Sequence, residues 1–305
     1  MCAATFLGIQ KEFATEGSWV VDRAFARLEK LVRDGDVRIV QVVGVPRSMS
    51  TALEKSLAEM GEPAAYVNEP FNVQNGDIDL AAQQLLSTFR DKGQPSVLVT
   101  KSLAPQIGRE EFNTWMSVCE SLVWSIRNPL IQMGSLATRL ANDRYGLSTH
   151  VITQDEVYPY LQRLTEHWMA TGFALPGWHS VGDHYRCRPA NDIPSVVIDG
   201  EDLVKHPARV LKAACSRLPY TFRRDMVSNW RAEPFNNANH AYPSETDDNG
   251  LPTDAWISKA ARARGLEPNT RTSLDVDRLP SALRHYIDDV AIPTYSELSR
   301  AAVRP

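Results

Sequence analysis

The sequence has 305 residues, 43% of them apolar and 23% charged, so the chain is long enough to bury one large core or two small ones. Its formal net charge is -4 and no long basic run occurs, which argues against a nucleic-acid surface. No segment approaches the roughly 20 apolar residues of a membrane helix, and no basic leader begins the chain. We therefore expect a soluble protein without membrane contact.

Cysteine spacing points to a reducing compartment. Cys2, Cys119, Cys187 and Cys215 lie far apart and form no Cys-x-x-Cys pair. This spacing indicates neither a structural zinc site nor a disulfide framework. We expect reduced thiols, a cytoplasmic protein and no bound metal.

Apolar runs alternate with stretches of helical spacing over the first two thirds of the chain. The runs predict strands at 39–43, 64–67, 96–100, 121–126 and 195–199. The helical spacing predicts helices at 18–33, 51–60, 78–89, 130–140, 154–172 and 208–217. Strands that alternate with helices predict an α/β fold with a mainly parallel, doubly wound sheet of about five strands.

The two ends of the chain differ from this central pattern. Residues 1–36 are expected to form an N-terminal helical extension. Residues 236–252 are rich in Asn, Asp, Ser and Pro, which is typical of a loop. We expect a single domain over 1–305, with a loop-rich cap or lid at 219–305.

The segment that follows the first strand, Gly44-Val-Pro-Arg-Ser-Met-Ser-Thr51, is typical of an anion-binding turn. Gly44 permits a tight turn, and backbone N–H groups converge with the helix dipole where the next helix begins. Arg47 adds a full positive charge. The alternative is an ordinary strand–turn–helix unit with a surface arginine. Met49 and Ser50 replace the second glycine and the lysine of the nucleoside-triphosphate loop, which argues against ATP hydrolysis.

Charged residues follow several of the predicted strands. Arg47, Glu69, Lys101 and Arg127 supply three cations and one carboxylate. Ligands of open α/β sheets bind at the carboxyl ends of the strands, so we expect these side chains to lie close together. Three cations suit a multiply phosphorylated nucleotide, and a carboxylate suits proton abstraction from a hydroxyl or amine.

Several of these segments are similar to motifs of the sulfotransferases. Gly44-Val-Pro-Arg-Ser-Met-Ser-Thr-Ala-Leu53 resembles their 5′-phosphosulfate loop, and Arg127-Asn-Pro-Leu-Ile-Gln-Met-Gly-Ser135 resembles their 3′-phosphate segment. Glu201-Asp202-Leu203 resembles an acidic segment after a late strand. Glu69-Pro70-Phe71 matches sulfotransferase-like proteins that carry Gly-Pro-Arg-x-x-Ser-Thr-Ala-Leu. The resemblance to this P-loop sulfotransferase superfamily covers residues 37–218.

The resemblance implies the donor 3′-phosphoadenosine-5′-phosphosulfate (PAPS), with the product PAP, and no metal. The acceptor would be a small or medium-sized molecule that carries a hydroxyl or amine. Nucleotide contacts are then expected from the following residues: Arg47, Ser48, Met49, Ser50, Thr51, Ala52, Arg127 and Ser135. The chemistry is expected from Glu69 as general base, with Lys101 and Arg47 stabilising the developing charge.

Some alternatives remain open at this point. Glu69 is also interpretable as a salt-bridging carboxylate and Lys101 as a solvated strand-end lysine. Ser102 stands where many cytosolic sulfotransferases have a histidine, which favours Glu69 as the base. The substitutions also leave open a nucleotide-binding protein that kept the fold and lost the chemistry, or a P-loop kinase. The sequence does not decide whether the chain forms a homo-oligomer.

Overall fold

The computed structural model describes residues 23–60, 64–71, 77–92, 96–144, 154–171, 177–188, 193–230, 263–266 and 274–305. The predicted loop at 236–252 and the first residues of the predicted helix at 18–33 lie outside this part of the chain.

Strands and helices alternate along the described chain. The strands are β1 (Arg38–Gly44), β2 (Ala64–Asn68), β3 (Val97–Leu103), β4 (Ser121–Ile126) and β5 (Ser195–Asp199). The helices are α1 (Ala24–Arg33), α2 (Ser50–Ala58), α3 (Ile78–Lys92), α4 (Arg109–Met116), α5 (Pro129–Arg144), α6 (Gln154–Thr171), α7 (Trp178–Cys187), α8 (Gly200–Lys205) and α9 (Pro207–Cys215). Two C-terminal helices, Ser281–Tyr286 and Ile292–Ala301, flank a π-helical turn.

The five strands form one parallel sheet in the order β2-β3-β1-β4-β5. The chain leaves β1 toward β2 and β3 on one side and then crosses to β4 on the other. A ligand crevice is expected at such a reversal of direction, outside the carboxyl ends of the strands. This architecture confirms the predicted parallel α/β sheet of about five strands flanked by helices.

Apolar side chains cover both faces of the sheet, which explains why the strands read as nearly continuous β-branched runs. On one face, residues such as Ile39 and Trp124 pack in a core with α1, α3, α4 and α7. On the other face, Val40 and Val99 pack in a core with α2, α8 and α9. No helix in the described part of the chain is long and apolar enough to cross a bilayer.

Gln41 is the one polar interruption of the first apolar run, and it lies buried in the middle of β1. Its side-chain oxygen accepts hydrogen bonds from Thr100 Oγ1 at 2.6 Å and from Trp115 Nε1 at 2.8 Å. A buried amide is tolerated when its hydrogen bonds are made. Gln41 therefore ties β1 to β3 and to α4.

The C-terminal end of the chain packs against the edge of the sheet. Val303 N donates to Val197 O at 2.9 Å, and Ala302 forms a parallel bridge with Val197. Tyr295 donates its hydroxyl to Asp199 Oδ2 at 2.6 Å. The last helix is thereby fastened to the carboxyl end of β5.

Candidate functional site

Side chains of β4 and α5 donate hydrogen bonds to the loop between β1 and α2. Gln132 Nε2 donates to Pro46 O at 2.8 Å, and Ser125 Oγ donates to Ser48 O at 2.8 Å. A Cβ atom on Gly44 would stand 2.7 Å from Ser48 Oγ, so this close turn requires glycine. These two hydrogen bonds fix the carbonyls of Pro46 and Ser48 and with them the path of the loop.

Two non-glycine residues of the loop have left-handed backbone conformations. Arg47 has a φ of 66° and Met49 a φ of 76°. Met49 is the N-cap of α2 and makes no side-chain capping bond to the first N–H groups of the helix. Ser48 is buried, and its Oγ has no hydrogen-bond partner among the described residues. Uncapped helix N–H groups, together with a buried unpaired hydroxyl, form a site that suits an anion.

The loop and the segment after β4 meet directly. Arg47 Nε donates to Ser135 Oγ at 3.1 Å, although the two residues are 88 positions apart in sequence. Arg127 is buried, and its Nη1 lies 3.5 Å from Arg47 O. The two segments that were expected to bind the two phosphates are therefore adjacent in space.

Arg127 has a carboxylate partner from a third segment. Its Nε donates to Glu201 Oε1 at 2.9 Å, and both side chains are largely buried. Glu201 is fixed in turn by the N-cap of α8, where its N–H donates to Asp199 Oδ1 at 2.8 Å. The acidic segment thus orients the arginine of the neighbouring strand.

Gly200, the first residue of α8, lies directly against the loop. A Cβ atom there would stand 2.9 Å from Ser48 O and 3.2 Å from Met49 Cγ. These distances are too short for any side chain at this position. In this chain the space beside the loop is taken by α8 itself.

Lys101, within β3, and Glu69, directly after β2, form an ion pair. The register pairs Asn68 with Lys101, and Glu69 N donates to Lys101 O at 2.6 Å. The ammonium of Lys101 contacts Glu69 Oε1. The lysine is 2% exposed and the glutamate side chain 18% exposed, so the carboxylate lies nearer to solvent. Glu69 also has a left-handed φ of 53°, a strained conformation for a residue other than glycine.

Gln106, which the sequence analysis did not single out, holds the other oxygen of this carboxylate. Its Nε2 donates to Glu69 Oε2 at 2.7 Å, and its Oε1 accepts from Leu103 N at 2.8 Å. Both oxygens of Glu69 therefore have fixed partners. No local pattern in the sequence marks Gln106, because its partner lies 37 positions away.

Glu54 is a second residue that the sequence analysis missed. It lies on α2, fully buried, and burial raises its pKa to about 8. Lys101 lowers this pKa and Glu69 raises it, which puts Glu54 within electrostatic reach of the ion pair.

Among the described residues, neither Ser102 nor His184 offers a second base beside this ion pair. Ser102, which stands where many cytosolic sulfotransferases have a histidine, is buried and accepts a hydrogen bond from Gln41 Nε2 at 3.3 Å. His184 is buried in a stack on Phe112, with ring centroids 4.4 Å apart. Burial lowers the pKa of His184 to about 4, so this imidazole is neutral near pH 7.

The described residues include no cluster of His, Cys, Asp or Glu side chains that would hold a metal ion. They do bring most of the predicted site together. Arg47 of the loop contacts Ser135 and Arg127, and Lys101 of β3 forms an ion pair with Glu69, directly after β2 of the same sheet. Three further predicted nucleotide contacts lie at the N-cap and in the first turn of α2: Met49, Thr51 and Ala52. Ser50 begins the helix and is buried.

Comparisons with known proteins add little to this geometry. No protein-family model matches the chain, and no curated protein matches it. Among solved structures, it is similar to the sulfotransferase domain from the curacin biosynthetic pathway. The TM-score is 0.44 and the identity 15%, over 88% of this chain and 99% of that chain. A likeness of this extent carries no functional argument, so the proposals below rest on the residues of the site.

Proposed function

We propose that this protein is a sulfotransferase that uses PAPS and transfers the sulfuryl group to a hydroxyl or amine of a small or medium-sized acceptor. The observation that carries the proposal is the hydrogen bond between Arg47 and Ser135. It joins a strand–turn–helix anion loop to a segment that resembles the 3′-phosphate site of sulfotransferases. A nucleotide with a 5′-phosphate and a 3′-phosphate would bind the loop with the first and the Arg127–Ser135 segment with the second.

The nucleotide would be held by two groups of residues. The 5′-phosphate fits the uncapped start of α2, with Arg47 and the hydroxyls of Ser48 and Thr51 as donors. The 3′-phosphate fits Arg127 and Ser135, because a guanidinium donates in a fixed fork to phosphate oxygens. Glu201 would keep that fork in place from its far side.

PAPS supplies an activated sulfuryl group, and the chain supplies a base and a charge stabiliser. Glu69 takes the proton of the acceptor as the acceptor oxygen or nitrogen forms its bond to sulfur. The bond between sulfur and the bridging oxygen breaks, and its electron pair stays on the phosphate of PAP. Lys101 uses one of its three N–H donors on Glu69 and has others for that oxygen.

The strained backbone supports this assignment of roles. Three of the four non-glycine residues with left-handed conformations in the described chain are Arg47, Met49 and Glu69. Strain of this kind persists where the surrounding structure fixes it, and it concentrates at ligand and active sites. Arg47 and Glu69 are candidates from the sequence for their charge and for the resemblance, whereas Met49 is a candidate only because it stands where the resembling loop has a glycine.

Turnover of PAPS tests the proposal. We would incubate the protein with PAPS and a panel of hydroxyl and amine acceptors and measure release of PAP. The proposal predicts acceptor-dependent PAP release without added metal, abolished by Lys101→Ala. PAP binding without release on any acceptor would mean that the chain binds the nucleotide but lacks the chemistry. Mg²⁺-dependent release of ADP from ATP, without release of PAP from PAPS, would replace the proposal with a P-loop kinase.

A further inference from the structure

Glu54 has no evident structural reason to be a glutamate. Its residue is 0% exposed, and neither carboxyl oxygen has a hydrogen-bond partner among the described residues. A buried carboxyl without partners is costly, and most buried polar groups are therefore hydrogen-bonded. An exception of this kind calls for a functional explanation.

The geometry of the sheet puts Glu54 on the same side as the ion pair. Alternate residues of a strand share one face, so Lys101 lies on the face of β3 that also carries Val97 and Val99. These valines belong to the core that includes Leu53 of α2. The buried side chain of Lys101 therefore lies between the sheet and the helix that carries Glu54.

Charged groups reach Glu54 from two strands and from its own helix. They are Lys101 from β3, Glu69 at the end of β2 and Lys55 from α2. β2 also places the buried phenol of Tyr66 on this face. α2 packs in addition on β1, which is apolar here, and on the 224–226 turn, whose charged side chains are exposed.

Resting on the proposed function, we propose that Glu54, kept protonated, is a positioning residue for the ion pair between Lys101 and Glu69. While Glu54 is neutral, the ammonium of Lys101 is able to contact Glu69 and the bridging oxygen of PAPS. When ionised, Glu54 competes for that ammonium and draws it toward α2, away from the bridging oxygen.

The proton resides on Glu54 because of relative burial. One cation flanked by two ionised carboxylates would carry a net negative charge in a buried place, so one carboxyl retains its proton. Glu54 is 0% exposed, whereas the Glu69 side chain is 18% exposed. The pKa of Glu54 is raised to about 8, mainly by burial and in smaller part by Glu69, and Lys101 opposes this rise. Glu69 is thus left ionised and able to act as the base.

The pH dependence of kcat at saturating PAPS and acceptor tests this role. Because the proposal requires neutral Glu54, and Glu54 loses its proton near pH 8, we expect the wild-type kcat to fall about tenfold per pH unit above pH 8. Glu54→Gln keeps the shape of the side chain and cannot ionise, so this alkaline fall disappears. The control Glu110→Gln, at an exposed position on α4, keeps the wild-type slope. An identical alkaline fall in wild type and Glu54→Gln would overturn the proposal.

A second readout needs no turnover. Infrared difference spectra between pH 6 and pH 10 detect the C=O stretch of a protonated carboxyl. We expect wild type to lose this band near pH 8 and Glu54→Gln to lack it. Wild-type spectra without a carboxyl band that is lost in this range, or an unchanged band in Glu54→Gln, would overturn the proposal. The infrared test remains decisive if PAP does not bind, a result that would instead refute the proposed function.

Discussion

The guanidinium of Arg47 donates to the hydroxyl of Ser135 at 3.1 Å, so the turn after β1 and the first turns of α5 share one hydrogen bond. Under the proposed function, Arg47 would contact the 5′-phosphate of the nucleotide and Ser135 its 3′-phosphate. The two side chains are hydrogen-bonded to each other. A nucleotide with two phosphates would replace this bond with one contact to each.

The arginine after β4 should distinguish nucleotides by their 3′-phosphate. We expect Arg127→Gln, in a Glu201→Gln background, to weaken PAP binding by about tenfold to a hundredfold, because a hydrogen bond to a charged group is lost. Adenosine 5′-phosphate lacks the 3′-phosphate and should bind the parent and the variant equally. Calorimetric titration of both nucleotides measures the difference.

The Glu201→Gln background separates the loss of nucleotide binding from a loss of stability. Removing Arg127 alone would leave the buried carboxylate of Glu201 without a partner, which destabilises a protein by itself. Arg304→Gln serves as a control because it breaks an exposed pair with Asp202. Equal losses for the two nucleotides would show that Arg127 does not contact a 3′-phosphate.

The carboxylate of Glu69 should matter for turnover and not for nucleotide binding. We expect Glu69→Gln to lower kcat by about 10² to 10⁴, the usual range for a general base, and to leave PAP affinity near that of wild type. Steady-state kinetics and a PAP titration separate the two effects. Equal turnover in wild type and Glu69→Gln would remove this residue from the mechanism.

Met49 should cost stability through its backbone. Its φ of 76° is unfavourable for every residue that has a Cβ atom. Met49→Gly and Met49→Ala both remove the side chain, so their difference isolates the backbone conformation. We expect the glycine variant to have the larger free energy of unfolding, by about 1 kcal/mol, in urea titrations.

At a matched position within α2, a glycine should lower the free energy of unfolding instead of raising it. Ala52 has ordinary helical geometry, and Ala52→Gly should lower the free energy of unfolding by about 1 kcal/mol. If Met49→Gly were no more stable than Met49→Ala, the left-handed conformation at this position would be refuted.

His184 should make the protein sensitive to acid. Burial lowers its pKa from 6.5 to about 4, so the unfolded chain binds the proton more readily than the folded chain between these values. Stability is therefore lost as the pH falls from 6.5 toward 4, by about 2 kcal/mol at pH 5.

Thermal denaturation at pH 7 and pH 5 measures this loss. His184→Phe keeps an aromatic ring against Phe112 and should show a smaller decrease in Tm between the two pH values. His285→Gln, at an exposed position, should show the wild-type decrease. A decrease of the same size in His184→Phe would exclude His184 as its source.

The sheet was predictable from the sequence because its strands are buried on both faces. The run at 195–199 coincides with β5, and Arg127 marks the end of β4 as expected. β3 was predicted too short because Lys101 was interpreted as the end of the strand. The strand continues to Leu103, and the lysine is buried within it. A charge that has a partner across the sheet does not have to end a strand.

Residues that act through burial could not be found from local patterns. Gln106 acts by reaching a carboxylate 37 positions away. Glu54 follows Leu53 on a helix, where a glutamate usually indicates an exposed face. Every residue of α2 from Leu53 to Ala58 is buried, because the sheet and later segments enclose the helix on several sides. The sequence of the helix does not reveal that enclosure.

Calorimetric titration of the wild-type protein with PAP and with adenosine 5′-phosphate, in the absence of metal, tests the central claim most directly. The two-phosphate site predicts that PAP binds, and that it binds at least about tenfold more tightly than adenosine 5′-phosphate, since a charged hydrogen bond is added. Absence of binding heat with millimolar PAP, or equal affinity for the two nucleotides, would contradict it.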